Sequence, residues 1–511
     1  MIPKLTLQKR NFALFLIIFT LFITTFYIYQ SSDTTSYDSL TDSPIKHPSK
    51  DQSEIILEHP ELGACENVDI NWLASDRHYW DGRSTKAMFL QADGKFTTGN
   101  VSIVKGEAIC VVILLGPSPA TSVIRAEKHL GPADSIILQA KGNSTILSIE
   151  LQQHRTHPNA YFASVYFSQP DIYILKGRIE YRSYFWEQPI THSYRPTSFL
   201  SVNQVTVKPV YTKPLPACNM RDPLHLDGVW MDKTVFQSQY PLDFYGMFGP
   251  IQEDHAQFGR LFVPDHCRME YISFGQATQC LMDKVVHVWG DGNIRRNLKA
   301  FQTANRWCKG NSTAECICND DNEDTDNSIY PWVNDPMVSL SINKTWYANT
   351  NIYYNQVGAI ATKDWKKVMK TQVPQLPLKA DIVILGFGND DIPLARITPK
   401  DFAFAFENLL NDIIHHIYPH QTIIVRTPQY YCCGIFSSTS WNSGRSASFA
   451  RVVRQIVRKL NDNNNNRVLL WDVYKLGIEE NSCVSENSIY SRKHVVNVEN
   501  ILLWNLLCNS N

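Results

Sequence analysis

The sequence has almost no surplus of charge in either direction. Its 48 lysines and arginines stand against 49 aspartates and glutamates, a formal net charge of −1. A chain without a basic surface excludes nucleic acid as a partner. Metal-ligand spacing is missing too. Cys316-Ile-Cys318 has no second Cys or His pair at zinc spacing, so a disulfide role is the expectation there, and neither a metal nor a cofactor is expected anywhere. His415, His416 and His420 end an apolar stretch, where solvation or capping of helix carbonyls accounts for them.

What is present is a long, strongly apolar chain. At 511 residues, 44% hydrophobic and with 12 tryptophans, it can bury two cores and form two or three domains. Residues 1–10 carry Lys4, Lys9 and Arg10, and residues 11–30 follow with no charge between Phe12 and Tyr29. Eighteen such residues approach the roughly 30 Å of a hydrocarbon core, and no small-x-small cleavage site follows, so a transmembrane signal anchor is expected. The basic cluster before the run and Asp33, Asp38 and Asp42 after it orient the N-terminus to the cytosol. This is a single-pass type II topology, with the rest luminal or extracellular. The sequons at Asn100, Asn143, Asn311 and Asn343 and an even count of 12 cysteines suit an oxidising, glycosylating compartment. Their pairing is not legible.

Residues 31–60 are polar, with Pro44 and Pro48, and read as a disordered stalk. Residues 61–208 then show short alternating runs. In DIYILKGRIEYRSYF (171–185) Arg178, Glu180 and Arg182 interleave with Ile179 and Tyr181, which predicts one face in a core and the other in water. Such runs between Gly, Pro and Asn-rich turns predict a β-sandwich with a structural or binding role. VKPVYTKPLPAC (207–218) has three prolines and reads as a linker.

From residue 209 to 511 the pattern alternates strand and helix. VVHVWG (285–290), ADIVILGFG (380–388), QTIIVRTP (421–428) and RVLLWDVYKL (467–476) are strands between amphipathic helices, one of them expected over Asp401–Ile417 with Asp401 as its N-cap. Near-continuous apolar strands predict an α/β fold, a parallel sheet with helices on both faces. Ligands bind beyond the carboxyl ends of such strands. Those ends carry Gly290-Asp291-Gly292, Gly388-Asn389-Asp390-Asp391 and Asp472.

These residues resemble the SGNH or GDSL-like hydrolase fold, and within it the PC-esterase branch of the neurexophilin-and-PC-esterase (NXPE) family. Gly290-Asp291-Gly292-Asn293-Ile294-Arg295 stands where that family has Gly-Asp-Ser-x-x-Arg. CNMRDPLHLDGVW and VPDHC are similar to its upstream landmarks, LLWDVYKLG and HVVNVENILLWNLLC to its closing segments, and the preceding β-rich region matches its immunoglobulin-like domain by position. The resemblance implies a serine nucleophile, a His base and an Asp three residues before that His. Counted back from Cys508, the serine, His and Asp positions fall on Gly292, Tyr490 and Asn487. Glycine has no oxygen for attack, a phenol of pKa about 10 is a poor base, and asparagine is no anionic partner. His494 is the remaining imidazole, with Ser491 three residues before it.

The expected pocket is therefore Asp291, Gly292, Arg295, Gly388, Asn389 and His494. Asn389 matches the family's oxyanion-hole asparagine, or else is a turn residue; Arg295 binds an acidic sugar or pairs with a carboxylate. Asp390 and Asp391 are adjacent, a poor geometry for paired acid-base work, and read as a cap and a surface charge. Trp441 and Tyr430 stack on sugar rings or pack. The resulting expectation is a Golgi or cell-surface pseudoenzyme that binds a carbohydrate or a protein partner. The alternative is a glycan O-acetyltransferase or O-acetylesterase with a rearranged site.

Overall fold

The structure is a computed structural model that describes most of residues 63–508. Outside the described residues lie 1–62, 69–84, 117–133, 155–158, 182–196, 220–226, 250–258, 303–336, 343–349, 432–441, 463–466, 478–490, 509–511 and a few shorter stretches. The expected anchor, the stalk, Asn311, Asn343, Trp441, Asn487 and Tyr490 fall outside them. Among the described residues no helix is long and apolar enough to cross a membrane.

The strands of the β-rich part are β1 (Lys86–Leu90), β2 (Phe96–Thr97), β3 (Val101–Val104), β4 (Ala108–Leu114), β5 (Ser135–Lys141), β6 (Thr145–Ile149), β7 (Gln152–Gln153), β8 (Ala160–Tyr166), β9 (Asp171–Tyr181), β10 (Thr197–Lys208), β11 (Gly228–Asp232) and β12 (Arg260–Pro264). They form a five-stranded sheet in the order β2-β1-β4-β8-β7 and a seven-stranded sheet in the order β12-β11-β6-β5-β9-β10-β3. Phe89, Val111 and Ile113 of the first share one core with Leu138, Tyr173, Leu175 and Val205 of the second, so the two sheets form a sandwich. The period of two holds in β9, where Tyr173, Leu175 and Ile179 are buried. A disulfide joins Cys65 to Cys110 in β4.

The boundary expected at 208/209 cuts this sheet. β11 lies beyond it, yet pairs antiparallel with β6 through Trp230 and Met231 and with β12 along its whole length. Val229, Trp230 and Met231 are buried in succession, which an isolated hairpin cannot provide. The prolines of 207–218 lie at the end of β10 and in the crossover from it to β11, and Cys218 is joined to Cys267 by a disulfide.

The second layer has β13 (Val285–Gly290), β14 (Met337–Ile342), β15 (Thr350–Gln356), β16 (Ile382–Gly386), β17 (Thr422–Arg426) and β18 (Val468–Trp471), ordered β14-β15-β13-β16-β17-β18. All pairs are parallel except β14 with β15. The helices are α1 (Lys233–Gln239), α2 (Pro241–Phe248), α3 (Phe274–Cys280), α4 (Gly292–Gln302), α5 (Trp365–Gln372), α6 (Pro399–Asp412), α7 (Ser443–Asp462) and α8 (Lys493–Cys508). Helices α3, α4 and α8 pack together, as do α5, α6 and α7. Every residue of β16 and β18 is buried, as a sheet covered on both faces requires. The fold is thus mixed α/β with a largely parallel sheet, as expected. The N-cap of α6 is Thr398 rather than Asp401, because Thr-Pro-Lys-Asp closes a capping box in which Asp401 is the third helical residue.

Helix α7 lies between the layers, contacting both β5 and β18. It overturns the expectation that Glu180 faces water. The Glu180 carboxylate is fully buried at the start of α7, accepting from Ser443 N–H at 2.8 Å, Ser443 Oγ at 2.5 Å and Ser135 Oγ at 2.6 Å. Alternation put Glu180 on the outer face of the sheet, and the helix then covered that face. Two turns along α7, Arg451 and Arg454 pair with Glu150 of the sandwich at 2.9 and 3.1 Å. A Glu180→Ala change leaves the Ser443 amide and two hydroxyls without their acceptor, so we expect a loss of about 2 kcal/mol or more. Urea unfolding checks this, with Glu180→Gln less affected because it keeps one acceptor.

Candidate functional site

The parallel strands end in register. Gly290 pairs with Gly386, Gly386 with Arg426, and Arg426 with Trp471. The two glycines have a packing reason. A Cβ on Gly290 would sit 2.6 Å from Ile294 Cγ2 and 2.8 Å from the Gly386 carbonyl, and one on Gly386 would sit 2.9 Å from Ile294 Cδ1. Helix α4 can approach the sheet this closely only because neither strand carries a side chain there. Gly388 has φ +105° and would place a Cβ 2.9 Å from both Phe402 and Pro428, so this position requires glycine on two grounds.

Asp291 caps α4. Its Oδ1 accepts from Asn293 N–H at 2.8 Å and, at a longer 3.4 Å, from Ile294 N–H. Gly292 follows as the first helical residue, half-buried, its N–H among those with no intrahelical acceptor. Burial pushes the Asp291 carboxyl above the usual carboxylate range, opposed by the Arg426 guanidinium and the Asn389 side chain. Asn389 is buried, and its Oδ1 accepts from Gln429 N–H at 3.0 Å, which turns its amide nitrogen toward Asp291. Asn389 stands in a turn, but its side chain satisfies distant rather than local backbone. It ties the end of β16 to the segment after β17.

Asp390 and Asp391 separate in environment. Asp391 is fully buried and accepts from Ile360 and Ala361 N–H at 3.0 and 2.9 Å, so it clasps a loop; its pKa is pushed up to about 6 by burial, against those two bonds. Asp390 keeps contact with solvent, yet the surrounding protein and the charges of Asp291 and Asp391 push its pKa up to about 8. Arg445 holds the following loop by donating to the Ile392, Leu394 and Ile397 carbonyls. No group of three or more His, Cys, Asp or Glu suited to a metal occurs among the described residues.

The remaining expected residues have these surroundings. His494 is half-buried and lies edge-on to Trp230 of β11, ring centroids 5.6 Å apart. Arg295 is half-buried, and the arginine that α4 buries is its neighbour Arg296, which donates to the Ser491 carbonyl at 3.0 Å. Tyr430 is buried, its ring edge-on to Tyr474. His416 pairs with Asp412. His287, buried in β13, has its Nε2 2.9 Å from the Leu378 carbonyl, so that nitrogen carries the proton and Nδ1 accepts from Tyr418 at 2.8 Å. Burial pushes its pKa down, leaving a neutral structural imidazole.

Sequence reasoning missed a polar cluster beneath this row. Arg426 donates to Glu499 of α8 at 2.9 Å, with both side chains 1% exposed. Glu499 also accepts from Asn297 Nδ2 at 2.8 Å and Ser491 Oγ at 3.1 Å, and its backbone carbonyl accepts from Trp471 Nε1 at 2.8 Å. Two charges of opposite sign at the end of one apolar strand and within one apolar helix were the available signal.

No protein-family model matches the chain, and no curated protein matches it. Among solved structures, it is similar to a lipase/acylhydrolase from Enterococcus faecalis at 14% identity and TM-score 0.27, over 44% of this chain and 96% of that one. A carbohydrate acetylesterase family member from Sinorhizobium meliloti gives 13% identity and TM-score 0.27, over 44% and 99%. A family two carbohydrate esterase from Clostridium thermocellum, an active-site mutant, gives 9% and 0.27, over 80% of this chain and 92% of that one. Likeness at this level assigns no role to any residue here.

Two outcomes follow from this geometry. Removing one partner of the buried pair by Glu499→Ala strands Arg426 and should cost roughly 3–5 kcal/mol, whereas replacing both Arg426 and Glu499 by leucine should cost less; urea midpoints of the three proteins decide. Asp390 has a raised folded pKa, so its contribution to stability is full below its unfolded value of 3.8 and is lost as pH climbs through about 8, and because the side chain is exposed, solvent screening makes that contribution small. Asp390→Asn should therefore gain melting temperature on the wild type steadily from pH 4.5 to 8.5; a pH-independent difference overturns the assignment.

Proposed function

We propose that this is a single-pass type II protein of the Golgi or cell surface, with an immunoglobulin-like sandwich fixed to an SGNH-type α/β layer of the NXPE kind that has lost its serine triad and binds a carbohydrate or a protein. One observation carries the reading. At the carboxyl end of β13, where the resemblance puts the nucleophile, helix α4 begins with Gly292, and beside it Asp291 and Asn389 keep the surrounding hydrogen bonds. These donors and acceptors surround a position with no reactive oxygen. Loss of one triad member costs on the order of 10⁴ to 10⁶ in turnover, and the only candidate imidazole among the described residues at this end of the sequence, His494, packs on Trp230.

The second reading, an O-acetyltransferase or O-acetylesterase with a rearranged site, draws on Ser491. Its hydroxyl donates to the Glu499 carboxylate at 3.1 Å. That carboxylate is already engaged by Arg426 and Asn297. Purified full-length chain assayed with O-acetylated sugars and p-nitrophenyl acetate separates the readings. We expect background rates, no fluorophosphonate adduct, and saturable binding on a glycan or protein array. Turnover lost on Ser491→Ala, with the adduct on that residue, would establish the second reading.

A further inference from the structure

The loop that follows β15 is tied to the end of the strand row. Val357 N–H donates to the Gly290 carbonyl at 2.8 Å, and the Asp391 carboxylate accepts from the Ile360 and Ala361 amides. At Gly358, between these ties, a Cβ would meet Asp390 Oδ2 at 3.8 Å and Trp365 Cζ2 at 3.9 Å. A carboxylate and the edge of an indole thus flank one point of this loop. The indole is held in orientation by its Nε1, which donates to the Ala359 carbonyl at 3.2 Å. Trp365 is half-buried and Asp390 exposed, so both reach solvent.

The charge around this point is uneven. Asp390 stands in the fields of Asp291 and Asp391, and its surroundings, followed by those two charges, push its pKa up to about 8. Asp291 is 3% exposed; its Oδ1 caps α4, and its Oδ2 has no hydrogen-bond partner. A buried carboxylate oxygen without a donor carries an electrostatic cost, which a positive charge placed beside Asp390 lowers through the field. Lys366 and Lys370 of α5 turn to Asp412 instead. One cation is nevertheless present. The ammonium of Lys363, an exposed residue, lies over the Trp365 ring, 4.6 Å from its centre. The protein itself therefore places an ammonium on the indole whose edge adjoins Asp390.

We propose that Trp365 and Asp390 form a binding site for a sugar that carries a protonated amine, with Lys363 covering the indole face until the ligand displaces it. The inference rests on the carbohydrate form of the reading above and narrows it to amino sugars. Face and edge of the indole have separate roles. A pyranose ring covers the face with its C–H groups, while an amine on its rim reaches the carboxylate at the edge, a pairing of stacking and charge that a neutral sugar leaves incomplete. An acidic sugar would meet Asp390, Asp291 and Asp391 with a charge of the same sign. A peptide lysine would bring the charge without the ring.

The test is calorimetric titration of the purified full-length chain with a glucosamine tetramer and with its fully N-acetylated counterpart. The amine-bearing oligomer should bind at least about tenfold more tightly, the worth of a hydrogen bond to a charged group. Asp390→Asn, which keeps the shape of the side chain, should bring the two oligomers to the same affinity. Lys363→Ala should tighten the amine-bearing oligomer about threefold, because it removes a competing cation from an exposed ring; a purely structural Lys363 gives no such gain and overturns the displacement. Equal affinity of the unaltered protein for both oligomers overturns the amine site and leaves carbohydrate binding standing. Binding of neither, or preference for a lysine peptide of equal charge, overturns the amino-sugar assignment, and the glycan or protein array then decides the broader reading.

Discussion

The buried pair of Arg426 and Glu499 is the constraint around which the α/β layer is arranged. It joins the end of a central strand to the C-terminal helix at a place where neither charge reaches water. The guanidinium lies 5.4 Å from the centre of the Trp471 ring on the next strand, and Trp471 in turn donates to the Glu499 backbone. Asn297 brings α4 to the same carboxylate. One ion pair thus fixes the helix that starts at Gly292, the strand row beside it and the segment at Ser491. Arg426 also acts upward, lowering the pKa of Asp291 against the burial that raises it.

The two layers form one hydrogen-bonded body. Strand β11 pairs with β6, and α7 inserts between the sandwich and β18 with a buried carboxylate at its start. Glu150 reaches Arg454, Arg454 holds Asp472, and Asp472 accepts from Thr427, two residues before Gln429. The sandwich therefore borders the elements that set the candidate pocket, rather than hanging from them on a linker.

Much of this was legible because backbone periodicity is a local property. The strands at 285–290, 382–386, 422–426 and 468–471 and the helix beginning at Gly292 follow from apolar pattern and from the glycines that end the strands. What was not legible depends on contacts between distant segments. Glu180 alternates as a solvent-facing residue and is buried only because a helix 263 residues later covers it. Arg296 and Arg295 are equally arginine in sequence, and the turn of α4 decides which one is buried. The proline-rich stretch looked like a domain border because a linker and a crossover between two non-adjacent strands of one sheet share a composition.

The disulfide from Cys280 to Cys508 spans 228 residues and closes on the final turn of α8. That helix supplies Glu499, the counter-charge of a strand made some seventy residues earlier. During synthesis Arg426 must wait, solvated or paired elsewhere, until Glu499 has left the ribosome. The parallel sheet consequently reaches its final state only after α8 has emerged, and a chain broken two turns before the end of α8 would lack the cysteine that secures it.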